Sequence, residues 1–217
     1  MSAPSVVLTV LLWAAFGFQH SFLAQGFVKN FFARIFGPNF VEYGYRFVYF
    51  ASQCFAYPAF WYVVSRFEAG RTLWSTPATL YPVHFVLKIT GHLLIVATFI
   101  AADINTFVGT KQLWAYLKSR FTGKPVDRVA VFGHNNLVIG FPFTLVRHPM
   151  YLGIILSLLT ATGVYTEKIA LNLMCLLLYV EIGSYYEEKQ LVRLFGNAYR
   201  NYQATTSKYL PLGWLRR

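Results

Sequence analysis

Charge is what this chain has least of. Asp, Glu, Lys and Arg make up 12% of its 217 residues, only eight of them acidic, while 56% are hydrophobic. An ordinary soluble domain carries about 25% charged residues, so that class is excluded and an integral membrane protein is implied. Cysteine is nearly as scarce. Cys54 and Cys175 each sit inside an apolar run without metal-like spacing, which excludes a disulfide framework and leaves them as small core residues. The start, MSAPSVV, lacks a basic n-region, and the first apolar run continues through Gln19, His20 and Ser21 without a cleavage site, so it reads as a mature span rather than a signal peptide. His84, His92 and His134 show no ligand spacing with one another or with a carboxylate, and no metal is expected. Repeats, low-complexity stretches and a linker to a soluble domain are also missing, which implies one membrane domain over 1–217.

What is present is apolar length. Runs cover residues 6–24, 47–65, 89–104, 150–165 and 169–186. A bilayer core needs about 20 helical residues, so the third and fourth runs must recruit neighbours such as 85–88 and 143–146. The fold expected is an all-α polytopic membrane bundle of about five transmembrane helices, with three spans in 1–110 and the last two in 111–217. With the N-terminus outside, segments 25–46, 111–147 and 187–217 share one face and carry 15 Lys and Arg, against Arg66, Arg71 and Lys168 on the other. That positive-inside bias places those segments in the cytoplasm. Topology and anionic headgroups thereby account for the net charge of +11, and no nucleic-acid motif is present.

Gly37-Pro38, Glu68-Ala69-Gly70 and Gly123-Lys124-Pro125 mark loops. Before the last of these, Leu113, Trp114, Leu117 and Phe121 recur at helical spacing, which predicts an amphipathic surface helix over 111–121. Beyond Glu187 and Glu188 the helical pattern continues to a break at Phe195-Gly196. A short cytoplasmic helix over 197–209 is then expected, ending at Pro211.

Residues 145–153 read LVRHPMYLG, and about 35 residues later Glu187-Glu188 leads into LVRLFGNAYRNY. Pro149 suits the first position of a helix, where its missing amide costs nothing, and such a terminus favours a carboxylate or phosphate. Tyr151 lies on the face of His148. Arg147, His148 and Tyr151 serve either as a snorkelling cation, a cap and an interfacial ring, or as a ligand site. Adjacent carboxylates beside an apolar run repel each other. They are either a solvated pair balanced by Lys189 and Arg193, or acceptors for ribose hydroxyls and a cation. Tyr199 and Tyr202 either pack an adenine ring or anchor a helix to the interface. His20 is either a satisfied polar residue in a bundle or a proton-handling group. A central carboxylate at Asp103 costs about 2.5–3.5 kcal/mol in a membrane and calls for a polar cavity or a partner such as Lys88.

The ordered set RHPMYLG, then EEKQLVRLFGNAYRNY and a late Pro, resembles the isoprenylcysteine carboxyl methyltransferase superfamily of membrane methyltransferases, over roughly residues 141–211. GFQHSFLAQGFVKNFF (17–32) and ATFIAADINTFVGTKQLW (97–114) are similar to its methanethiol S-methyltransferase and NnrU-like branch. Asp103, Gly109 and Gln112 fit that branch; its Asp-His step is here Asp103-Ile104, and its Glu-Arg pair is Glu42 with a displaced Arg46. The resemblance implies S-adenosylmethionine bound by the C-terminal half, at His148, Pro149, Tyr151, Gly153, Glu187, Glu188, Tyr199 and Tyr202. Arg147 then lies at the transfer site, with His20 and Asp103 as further catalytic candidates. It implies a cytoplasmic cofactor site and a small or lipophilic acceptor, a thiol or a carboxylate, met in the lipid bilayer. The oligomeric state is not legible. Two other classes compete: an NADPH-dependent reductase related to sterol reductases, which share an Arg-His…Tyr-x-Gly element, and a non-catalytic NnrU-like membrane accessory protein. Pro149 and the tandem glutamates favour the methyltransferase.

Overall fold

A computed structural model describes residues 1–126 and 137–211; His134 and the terminal arginines lie outside the described residues. The described residues form helices joined by loops, apart from one pair of short strands. Among the described residues, three helices are long and apolar enough to cross a membrane: Ala3–Ala24, Ala78–Ala101 and Glu167–Phe195. The chain is a polytopic helical membrane protein. Two compact units interleave along it. One comprises Met1–Thr9, Glu68–Ala101 and Leu137–Arg217, the other Val10–Phe67 and Ala102–Asn136.

The second unit holds most of α1 (Ala3–Ala24), then α2 (Gly26–Phe36), a π-helical turn at Phe40–Gly44, α3 (Tyr45–Ser65), α5 (Ile104–Val108) and α6 (Thr110–Thr122). Its aromatic residues pack α1 on α3, with the Trp13 and Phe60 rings 4.9 Å apart and the Tyr45 hydroxyl donating to the Leu23 carbonyl at 2.6 Å. α3 has 21 residues, enough to span, but its tyrosines, Gln53 and Pro58 make it more polar than the other three. The predicted surface helix is α6. Gly109 opens it with φ +91, and a Cβ there would lie 2.7 Å from the Phe47 backbone nitrogen, so only glycine permits that approach.

In the first unit, β1 (Thr72–Ser75) pairs antiparallel with β2 (Val164–Thr166), Trp74 opposite Tyr165. Sequence periodicity missed this pair because each strand is shorter than the pattern needed to show alternation. α4 (Tyr81–Ala101) recruits residues 85–88 as expected and 81–84 besides, yet stops before Ile104, since Asp103 adopts φ +52 and cannot continue a right-handed helix. α7 (Pro149–Leu159) corrects the fourth span. Its 11 residues measure about 16 Å, half the hydrocarbon thickness, because 143–146 form a turn and Thr160 ends the helix. α4 and α7 cross where Gly91 meets Gly153. A Cβ on Gly153 would lie 2.6 Å from the Gly91 carbonyl oxygen, and one on Gly91 2.8 Å from Ser157 Oγ. Small residues allow this backbone approach, as in other membrane helix pairs.

α8 (Glu167–Phe195) has 29 residues, about 43 Å, so it outruns the bilayer core and carries Glu187 and Glu188 beyond the apolar stretch. Gly196, at φ +55, then turns the chain into α9 (Asn197–Thr205). The expected helix over 197–209 ends four residues early. Thr206 is extended instead, and the backbone of 207–208 pairs with the entrance to α7.

Candidate active site

The site is assembled where three segments of the first unit meet: the entrance to α7, the end of the apolar part of α8, and α9 with its extended tail. Backbone amides fix the register, Arg147 N–H donating to the Ser207 carbonyl at 2.8 Å and His148 N–H to that of Lys208 at 3.1 Å. From α9, the Tyr202 hydroxyl donates to the Phe143 carbonyl at 2.6 Å, and the Tyr199 ring, 2% exposed, packs 5.8 Å from that of Tyr202. Burial pushes the Tyr202 phenol up to about 12 and raises Tyr199 as well, so both remain neutral near pH 7. Tyr202→Phe removes only the bond to Phe143, and a loss of about 1 kcal/mol is expected in denaturant unfolding in micelles; an unchanged midpoint would show that α9 is held otherwise.

Glu188 is the hub. Its Oε1 accepts from Arg147 Nε at 2.8 Å and from His148 Nε2 at 3.0 Å, and its Oε2 from Gln203 Nε2 at 2.9 Å. Arg147 Nη1 also donates to the carbonyls of Gln203, at 3.2 Å, and Thr206. The guanidinium thus binds the acceptors left open at the C-terminal end of α9, where its charge meets the negative end of the helix dipole. Its Nη2 has no hydrogen-bond partner among the described residues.

Glu187 and Glu188 differ in environment although adjacent, because successive helix positions are about 100° apart. The Glu188 side chain is 14% exposed and neutralised from within; that of Glu187 is 47% exposed. Glu187 Oε2 accepts from the Tyr151 hydroxyl at 3.1 Å and lies 3.7 Å from His148 Nδ1. The carboxylate at Oε1 of Glu188 can only accept, so Nε2 of His148 carries a hydrogen, and Nδ1 lies on the Glu187 side. The rings of His148 and Tyr151 stack with centroids 5.4 Å apart.

Several members were missed by sequence reading: Gln203, Glu181, Ser184, Lys208 and Tyr209. Lys208 Nζ lies 2.5 Å from Glu181 Oε1, and the Tyr209 hydroxyl lies 2.5 Å from Ser184 Oγ and donates to Glu181 Oε2 at 3.1 Å. Helical spacing was an available signal for part of this set. Tyr199, Tyr202 and Gln203 stand at i, i+3 and i+4, and Glu181, Ser184 and Glu188 at i, i+3 and i+7, each on one stripe.

Of the residues read from the sequence, Arg147, His148, Pro149, Tyr151, Glu187, Glu188, Tyr199 and Tyr202 gather here, Pro149 as the first residue of α7. Gly153 lies at the α4–α7 crossing, one turn further on. His20 and Asp103 belong to the second unit. His20 has its ring 5.5 Å from that of Tyr49. Asp103 caps α5, accepting from the Asn105 amide at 3.2 Å and the Thr106 hydroxyl at 2.8 Å; its cation is Lys111 at 3.4 Å, where Lys88 was expected. The helix ends before Asp103, which puts the carboxylate in a half-exposed cap and not in mid-span. Cys175 is buried as expected, but Cys54 is exposed on α3.

The arrangement suits an organic cation with hydroxyl and carboxylate groups. It offers an exposed carboxylate, a phenol beside it, one open guanidinium nitrogen, and the first-turn amides of α7, which precede any intrahelical acceptor. Residues 86–198 match the phospholipid methyltransferase family. The methanethiol S-methyltransferase of Pseudomonas deceptionensis is 34% identical over 119 residues, 55% of this chain and 41% of that protein. Methanethiol S-methyltransferase 1 of Bradyrhizobium diazoefficiens is 27% identical over 220 residues, 99% of this chain and 69% of that protein. The first of these matches therefore spans less than half of its relative. No solved structure matches the chain.

Proposed function

Because the chain belongs to the phospholipid methyltransferase family, we propose that it is an S-adenosylmethionine-dependent membrane methyltransferase that methylates a small thiol. The observation that carries this reading is the pairing of an exposed Glu187 carboxylate with the stacked His148 and Tyr151 rings, held by Glu188 and Arg147. The names of the relatives support the thiol, and the excess of Lys and Arg on the segments around the site supports a cytoplasmic location. The family match favours this reading over the nicotinamide reductase.

S-adenosylmethionine supplies an electrophilic methyl group on a sulfonium sulfur. Glu187 and the Tyr151 hydroxyl oxygen offer acceptors for the ligand's hydroxyl and ammonium groups, Arg147 Nη2 a donor for its carboxylate, and the stacked rings a π face for the cation. A thiol must ionise before its sulfur attacks, since the thiolate is the nucleophile. Nδ1 of His148 takes that proton, and the imidazolium formed stands between the carboxylates of Glu187 and Glu188. An in-line displacement at that sulfonium would leave the residues around the site the tasks of alignment and exclusion of water.

Purified protein in nanodiscs, given methyl-labelled S-adenosylmethionine and methanethiol, is expected to release label as a volatile thioether; label that appears in lipid instead would replace the thiol with a lipid acceptor. His148→Gln is expected to slow transfer about 100-fold at pH 7. Its rate should then climb with pH towards the thiol pKa, roughly 8.5, as solution supplies the thiolate. A pH profile parallel to that of the parent would remove His148 as the base.

A further inference from the structure

The opposite end of α7 from His148 borders a cavity separate from the cluster. α7 stops at Leu159, so the first turns of α4 extend past the Gly91–Gly153 crossing without it as a neighbour, and the β1–β2 pair walls the space left. The cavity is open, about 470 Å³, and lined by Trp74, Thr76, Leu80, Val83, His84, Leu87 and Tyr165. That volume lies in the range of small-molecule sites, about 300–1,000 Å³. Leu80, in the turn that leads into α4, and His84 and Leu87 on α4 stand at i, i+4 and i+7. Trp74, Leu80, Val83 and Leu87 are all 40% exposed or more, a concave apolar surface on a helix that crosses the membrane.

One polar group in this wall is set up to accept. The Tyr165 hydroxyl donates its single hydrogen to the Leu159 carbonyl, which can only accept. Its oxygen, 2.8 Å from His84 Nε2, must therefore receive a hydrogen from that nitrogen, and a ring carrying that single hydrogen presents a bare acceptor at Nδ1. That Nδ1 has no hydrogen-bond partner among the described residues. No charged side chain lines the cavity, so nothing there would neutralise a phosphate or a carboxylate.

We propose that this cavity binds a neutral, single-chain membrane amphiphile, its hydroxyl headgroup donating to His84 Nδ1 and its chain lying along Leu80, Val83 and Leu87. The ligand class follows from an apolar trough open to the bilayer that ends on one unsatisfied acceptor. Binding here is independent of the methyl-transfer reading, because the residues involved are distinct from those of the His148 cluster.

The test is photolabelling of the full-length protein in nanodiscs with a diazirine-bearing long-chain alcohol and with its methyl ether, which keeps the chain but lacks the donor. The alcohol is expected to label peptides covering 74–87 and 165 about threefold to tenfold more than the ether, the worth of one hydrogen bond. His84→Phe should bring the two probes to parity. Leu87→Trp, which fills the trough without touching the imidazole, should lower both and provides a second test if the first variant folds poorly. Equal labelling by the two probes in the parent protein, or an alcohol preference that survives His84→Phe, would overturn the proposal. So would label spread evenly over the apolar faces of α1 and α8.

Discussion

Glu188→Ala is expected to be the most damaging single substitution in the chain, costing about 3–5 kcal/mol of stability. The carboxylate takes hydrogen bonds from Arg147, His148 and Gln203, and the Arg147 side chain is only 10% exposed. Removing it strands a nearly buried guanidinium and breaks a link that joins α8, the entrance to α7 and α9 through one side chain. Methyl transfer should fall about 100-fold or more with it, since small displacements of a positioned group cost that much. Chemical unfolding of Glu188→Ala, Arg147→Ala and the double variant reads the effect as a cycle. The double variant should cost clearly less than the sum of the two singles, because the second deletion removes a charge the first left unpaired. Strict additivity would mean that the pair is not coupled.

Gly153→Val is expected to rank next, at about 3 kcal/mol. Even the Cβ would sit 2.6 Å from the Gly91 carbonyl oxygen and 2.8 Å from Ile95 Cγ1, and backbone on both helices has to move to admit it. Gly91→Val meets Ser157 Oγ at 2.8 Å and the Gly153 carbonyl at 2.9 Å, so a similar loss is expected from the other side. α7 carries His148 at its start and Tyr151 in its first turn, so the shift should also weaken ligand binding at the cluster. The melting temperature and ligand affinity of both variants check this. Full retention of both would show that the crossing is not a fixed contact.

Gly153 also shows where sequence reading succeeds and where it stops. Its place in the RHPMYLG motif suggested a ligand role, while its packing role against Gly91, 62 residues earlier in the chain, depends on a tertiary contact that no local pattern encodes. The membrane helices were legible because apolar length is a one-dimensional signal; α1 and α8 contain their expected runs. The short α7 was not, since the apolar stretch 150–165 continues past Leu159 into β2, and hydropathy does not distinguish a helix from the strand that follows. Pro149 and Gly196 were read correctly as a start and a break because each constrains its own backbone. Asp103 was misplaced by two residues relative to a helix end. That distance separates a costly mid-span charge from an ordinary cap on α5. The glutamate pair was found, but its division into a buried, neutralised Glu188 and an exposed Glu187 required Arg147 and Gln203 to be placed around it.

The central claim is that the cluster binds the methyl donor through its exposed face. Isothermal titration of S-adenosylhomocysteine into the purified protein, the Glu187→Gln variant and the Tyr151→Phe variant tests it most directly, with melting temperatures recorded alongside. Saturable binding is predicted for the parent, with affinity reduced about tenfold or more in Glu187→Gln and by a smaller factor in Tyr151→Phe, at unchanged melting temperatures. No binding to the parent protein, or equal affinity in all three, would contradict the account.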